Sequence, residues 1–171
     1  MITTSRLNLS LISMQDESAV FNILNYQNTA EIVSRFTWPM THAQSTWWCE
    51  TAETGQKNKN EYLFIARMKD KAVGCMGIHL DKSDPQVAEV GYWIDEKFQG
   101  QGFASEMLNS ILEFGFESLE LNQIYATTAK NNPASCHVLT KAGFKQDGTT
   151  DVSLPDGSKR PSFLFRRYKD D

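Results

Sequence analysis

The residues with the clearest chemical potential are the run Gln99-Gly100-Gln101-Gly102-Phe103-Ala104. It follows a strand-like segment, Val87–Ile94, and opens a helix-like segment, Phe103–Leu119. Two glycines in a turn before a helix let the backbone come close to a ligand. The first amides of a helix have no intrahelical partner, and the helix dipole adds partial positive charge there. Such a turn is a seat for a phosphate or pyrophosphate, although Gly-x-Gly before a helix is also an ordinary tight turn. Two nucleotide devices are excluded by inspection. The dinucleotide fingerprint needs a third glycine or alanine where Ser105 stands, and it belongs to the first strand and helix of its domain, whereas about ninety residues come first here. The P-loop needs Gly-Lys-Ser/Thr, a tripeptide the chain lacks.

The elements that must position this turn read as follows. Leu7–Leu11 alternates as a strand. Ser13-x-x-Asp16 resembles a capping box for a helix to about Asn25, and a second short helix is expected over Asn28–Phe36. Thr41-x-x-Gln44 caps a segment to about Thr54, with Gly55 and the polar stretch to Asn60 as a turn. Tyr62–Arg67 and Ala72–His79 flank a hairpin turn, and Val87–Ile94 completes the meander. Phe103–Leu119 buries one apolar face. Gln123–Thr128 follows as a strand parallel to Val87–Ile94 through that crossover helix. Pro133–Lys141 is a helix with Pro in its first turn, stopped by Gly143. Phe144–Asp147, Thr149–Leu154 and Ser162–Tyr168 read as final strands. The result is a mixed α/β (α+β) sheet, not a doubly wound nucleotide fold.

Composition sets bounds around this reading. A chain of 171 residues, 40% hydrophobic and 22% charged, suits one globular domain over 1–171. No apolar run approaches the length of a membrane-crossing helix, and no secretory h-region follows the first residues. Cys49, Cys75 and Cys136 have no metal-ligand spacing, so reduced thiols, a cytoplasmic setting and no metal are expected. A net charge of −4 disfavours nucleic acid as the main partner.

The order of elements and their residues resemble the GNAT superfamily of acyl-CoA-dependent N-acetyltransferases. Gln99-x-x-Gly102-x-Ala104 matches the family's Gln/Arg-x-x-Gly-x-Gly/Ala signature at every defined position. Asn132-Pro133-Ala134-Ser135, followed by Leu139-x-Lys141-Ala142-Gly143-Phe144, looks like the Asn-x-x-Ser…Leu-x-Lys-x-Gly-Phe block of the branch that includes the ribosomal-protein alanine N-acetyltransferases. Ala88–Ile94 also reads like that branch, and the resemblance covers essentially the whole chain. It implies a mostly antiparallel sheet flanked by helices, with a V-shaped splay between the fourth and fifth strands. It implies acetyl-CoA as co-substrate, its pyrophosphate on the amides of Gln99, Gly100, Gln101, Gly102, Phe103 and Ala104. The pantetheine arm would pair with Tyr92, Trp93 and Ile94, and Asn132 and Ser135 would stand near the pantetheine and thioester.

Amide formation from a thioester needs a neutral amine, and an alkyl amine with a pKa of about 10 is mostly protonated at pH 7. Glu89, mid-strand among apolar residues, is the candidate to take that proton or to position the amine; alternation places it with Val87, Gly91 and Trp93 without deciding its face. A solvated edge position is the plain alternative. Within the family, a backbone N–H near Trp93 or Ile94 would stabilise the oxyanion, and Ser135 would hydrogen-bond the leaving thiolate. Local backbone bonding is the competing role for a serine there. Many members carry a tyrosine acid four residues later, where this chain has Leu139. Cys136 reads as packing, and His79 and His137 each stand alone in the sequence. Phe36, Trp38, Trp47 and Trp48 would either line the acceptor pocket or fill the core. The resulting expectation is an N-acetyltransferase for a protein N-terminal or small-molecule amine, with a catalytically silent acyl-CoA-binding or regulatory module as the alternative. A homodimer stays open.

Overall fold

The computed structural model describes residues 1–26 and 38–171. The helix expected over 28–36, and Phe36 as a pocket residue, lie outside the described residues. The strands are β1 (Ile2–Thr3), β2 (Asn8–Leu11), β3 (Glu61–Met68), β4 (Lys71–Leu80), β5 (Val87–Ile94), β6 (Gln123–Ala129), β7 (Lys145–Ser153) and β8 (Lys159–Tyr168). The described α-helices are α1 (Glu17–Leu24), α2 (His42–Lys57), α3 (Phe103–Glu113) and α4 (Pro133–Lys141). All eight strands form one sheet in the order β1-β2-β3-β4-β5-β6-β8-β7, antiparallel except for β5 with β6.

Local chemistry explains most of these boundaries. The backbone N–H of Thr41 donates to Gln44 Oε1 at 2.8 Å, and the Gln44 N–H returns a bond to Thr41 Oγ1 at 3.3 Å. This reciprocal cap satisfies two donors that the start of α2 would otherwise leave open. Gly55 does not end that helix. A Cβ there would stand 2.6 Å from Glu61 Cβ, so glycine permits close approach to β3 while α2 runs on to Lys57. The Phe103–Leu119 segment is α-helical to Glu113 and widens into a π-type turn over Phe114–Ser118. There the Phe114 ring meets Tyr62 and Phe64 edge-on, at 5.5 Å and 5.4 Å. The two strands expected over 144–147 and 149–154 are one strand, β7, with a register shift between Gln146 and Thr149 at Gly148. Strand β1 is too short to show any period.

The sheet buries both faces in its central region. Phe64, Met76, Ala88 and Val90 face α3, packing with Met107, Leu108 and Ile111. Leu63, Ile65 and Cys75 point the other way, against Val20, Ile23 and Trp48 of α1 and α2. Trp93 packs on this second side, so alternation places Glu89 and Gly91 there as well. The parallel ladder of β5 and β6 is short: Val87 with Gln123, Ala88 with Ile124, and Glu89 with Tyr125. From Val90 to Ile94, β5 continues without pairing to β6. Two cavities lie beside this unpaired stretch.

Candidate active site

The Gln99–Ala104 turn is held open by its own side chains and by the N-terminal segment. Gly100 and Gly102 have φ of 72° and 81°, the left-handed region that side chains avoid. Gln99 Nε2 donates to the Ile94 carbonyl at 3.1 Å, tying the turn to the end of β5, and Gln101 Nε2 donates to the Lys97 carbonyl at 3.1 Å. Arg6 reaches the same turn: Nη1 donates to the Gln101 carbonyl at 3.0 Å, and its guanidinium lies 4.3 Å over the Phe103 ring. Glu106, in the first turn of α3, accepts from Thr4 Oγ1 at 2.6 Å, the Arg6 N–H at 2.8 Å and Arg6 Nε at 2.6 Å. Burial pushes its carboxyl up, but those bonds and one from Ser5 outweigh it and hold the pKa at about 2.

This turn edges a cleft of about 420 Å³, whose other walls are Tyr92, Ile94, Phe98 and α4 from Ala134 to Lys141. A Cβ on Gly100 would meet nothing within 4 Å, and one on Gly102 only Arg6 Nη2 at 3.6 Å, so the glycines bare the backbone to the cleft. A mostly apolar channel ending on exposed helix amides beside a guanidinium fits a chain capped by a diphosphate.

A second cavity, of about 130 Å³, opens on the α1/α2 side of the splayed strands. Glu89, Gly91, His79 and Trp48 line it, with Thr127 and Arg160 from the opposite strands. Tyr92, Trp93, Asn132 and Ser135 line both spaces, so the cavities meet at those four residues.

At this junction the structure adds contacts that the sequence did not disclose. Ser135 Oγ pairs with the Tyr92 hydroxyl at 2.9 Å. Burial pushes the Tyr92 phenol up to about 12, against the lowering effect of the Ser135 bond, so it stays protonated at neutral pH. Tyr92 thus reaches the junction with its side chain as well as its backbone. Leu139 is buried in the core, and the phenol beside Ser135 comes from β5. The Asn132 side-chain oxygen accepts from the Ser135 N–H at 3.1 Å, capping α4 and setting Ser135 on the junction side.

Glu89 is half-buried, and its Oε1 accepts from Thr127 Oγ1 at 3.1 Å. Of the tryptophans expected near an acceptor, Trp48 is buried, lines the cavity and packs 5.7 Å from the Trp93 ring. Trp47 and Trp38 are 52% and 49% exposed and line neither cavity. On α2, adjacent residues necessarily face different ways, and only Trp48 can point at the sheet. Cys136 packs against the α3-side core, His137 lines the larger cleft and His79 lines the smaller cavity. Among the described residues no cluster of His, Cys, Asp and Glu could hold a metal, and no helix is long and apolar enough to cross a membrane.

A mixed sheet whose one parallel pair stops at Glu89, with a glycine turn edging one cavity and a carboxylate lining the other, can bring two ligands together. The acetyltransferase (GNAT) domain model matches residues 6–145, and the chain belongs to that family. It is 32% identical to the uncharacterized N-acetyltransferase p20 of Bacillus licheniformis, over 52% of this chain and 50% of that protein. It is 30% identical to the ribosomal-protein-serine acetyltransferase of Escherichia coli, over 63% of this chain and 56% of that protein. The chain thus spans about half the length of these curated relatives. Among solved structures, RimL, a ribosomal L7/L12 alpha-N-protein acetyltransferase in complex with coenzyme A, shares the fold. It has a TM-score of 0.85 at 16% identity, covering 98% of this chain and 96% of RimL.

Proposed function

We propose that the chain acts as one cytoplasmic acyltransferase domain that moves acetyl from acetyl-CoA to a primary amine. The observation that carries this reading is the meeting of the two cavities at Tyr92, Trp93, Asn132 and Ser135. A thioester delivered through one cavity and an amine delivered through the other come together there, which gives the entropic advantage of a fixed encounter.

In this reading the amides of Gln99 to Ala104 hold the pyrophosphate and the pantetheine runs along Tyr92 to Ile94. Glu89 is the carboxylate that meets the acceptor nitrogen, to take its proton or to position it. The amine attacks the thioester carbonyl, and the oxyanion is stabilised by a backbone N–H near Trp93 or Ile94; one such donor contributes about 3 kcal/mol. The intermediate collapses with the electron pair leaving on sulfur. Ser135, its hydroxyl oriented by Tyr92, donates to that sulfur. A thiolate is already a good leaving group, with a free-thiol pKa of about 8.5, so this donor assists and is not indispensable.

The acceptor reading is coarser. Glu89 and Thr127 also edge an open groove that continues past Tyr125, Val152, Leu164 and Arg166. The groove leaves room for an acceptor longer than its amine, which supports a protein N-terminus, the acceptor class that the ribosomal-protein relatives' names imply. The deciding experiment is thiol release from acetyl-CoA across ribosomal-protein N-terminal peptides, polyamines, amino sugars and amino acids, with a no-amine blank. Peptide-dependent release is expected. Release only with polyamines or other small amines reassigns the acceptor. Silence with every amine while acetyl-CoA binds points to a non-catalytic acyl-CoA-binding module.

A further inference from the structure

Two glycines face each other on β4 and β5 beneath the acceptor-side cavity. Gly77 pairs with Gly91, and the next pair on the same face is His79 with Glu89. Nothing lies within 4 Å of where a Gly91 Cβ would be. His79 Nε2 stands 3.1 Å from where a Gly77 Cβ would be, so the imidazole leans over Gly77, toward the Trp93 end of the cavity. On the far side of His79, Glu61 is its cross-strand partner on β3, and Glu61 Oε1 forms an ion pair with His79 Nδ1. Both side chains are well shielded, at 13% and 18% exposure. With Nδ1 turned to that carboxylate, Nε2 is the ring nitrogen on the Gly77 side, in the wall of the cavity. Glu89 leans the other way, across the splay to Thr127 on β6.

We infer that His79, held by Glu61, is the proton acceptor for the attacking amine, and that Glu89 positions that amine. The inference rests on the acetyltransferase reading and divides between two residues the roles that reading leaves together on Glu89. As the nitrogen–carbon bond forms, the nitrogen's proton passes to His79 Nε2, directly or through one water. The carbon–sulfur bond then breaks with its electron pair on sulfur, and the imidazolium returns its proton to solvent. Among the described residues, Glu61 from β3 pairs with His79, and the charged or titratable groups that share its cavity are Glu89 and Tyr92 from β5 and Arg160 from β8; β6 presents Thr127 and Thr128, and α2 presents Trp48. Glu61 acts through His79 and is a positioning residue.

The test is the pH profile of kcat/KM for thiol release from about pH 6 to about pH 9.5, spanning imidazole and amine titration. Wild type, His79→Gln, Glu61→Gln and Glu89→Gln are compared, with acetyl-CoA affinity by calorimetry as the control for fold. His79→Gln is expected to lose about 100-fold near pH 7, a typical general-base contribution, and to recover toward wild type at about pH 9.5, where free amine is abundant. Glu61→Gln should show a smaller loss with the same recovery. Glu89→Gln should show a loss chiefly in KM that does not vary with pH. A wild-type profile in His79→Gln, a loss equal at every pH, or high-pH recovery in Glu89→Gln instead overturns the inference. If His79→Gln fails to bind acetyl-CoA, the Glu61→Gln profile decides by the same criterion. A wild-type protein that turns over no amine overturns the acetyltransferase reading itself, and this inference with it.

Discussion

At the scale of single residues, the site is built from positions whose neighbours in sequence are not their partners in chemistry. The Ser135 N–H donates to Asn132, three residues away, but its hydroxyl pairs with that of Tyr92, on a different element. The strand carrying Tyr92 and Glu89 was legible, because Val87–Ile94 has the composition and flanking turns of a strand. The reach of the phenol to Ser135 was not, since it depends on how α4 lies against β5. His79 read as solitary for the same reason, because its carboxylate partner is Glu61 on the neighbouring strand. Gly102 is a residue whose expected role is testable alone. Its φ of 81° opposes any side chain, and a Cβ there would project toward the cleft mouth beside Arg6. Gly102→Val is expected to weaken acetyl-CoA binding at least about tenfold, or about 1.4 kcal/mol. Calorimetry measures this, with circular dichroism checking the fold; unchanged affinity would remove the pyrophosphate from this turn.

At the scale of elements, the start of α3 bears the clearest electrostatic signature. Glu106 joins the Thr4–Arg6 segment to the helix that follows the Gln99–Ala104 turn. Its carboxyl titrates lower in the folded chain than the usual value near 4.5, at about 2. A depressed carboxylate stabilises the fold fully above its unfolded pKa, and that stability is lost as pH falls toward the folded value. Glu106→Gln is therefore expected to destabilise by about 1–2 kcal/mol at pH 7, allowing for solvent screening at a partly open site. The gap from wild type should close between about pH 5 and about pH 2. Urea melts at a series of pH values measure it; a gap that persists at the acid end would mean that packing, not charge, explains the loss. The same segment escaped the sequence reading, because a contact between residues about a hundred positions apart leaves no local pattern.

At the scale of the whole molecule, binding of acetyl-CoA should report on the sheet as one unit. The cleft draws its walls from β5, the Gln99–Ala104 turn, α3 and α4, so a ligand filling it ties together elements that the β5–β6 splay leaves apart. Acetyl-CoA at about 100 times its dissociation constant is expected to stabilise the fold by about 2.7 kcal/mol. For a chain of this length that is a rise in Tm of about 5–10 °C. Thermal melts with acetyl-CoA and with acetate as a control test this; an equal shift with both would deny a specific cleft.

By itself the sequence determined most of the strands and helices and the parallel crossover, although it divided β7 in two and passed over β1, and it marked the Gln99–Ala104 turn as a seat for an anion. These rest on periodicity, caps and glycines, which act over a few residues. It missed where α2 ends, because Gly55 answers to β3 rather than to its own helix. It left the face of Glu89 open, because alternation gives two faces and only the packing of Trp93 against Trp48 chooses between them. The joining of Tyr92 to Ser135, of Glu61 to His79 and of one cavity to the other belongs to the tertiary structure. Contacts between side chains from separate strands and helices exist only once the sheet has set their register.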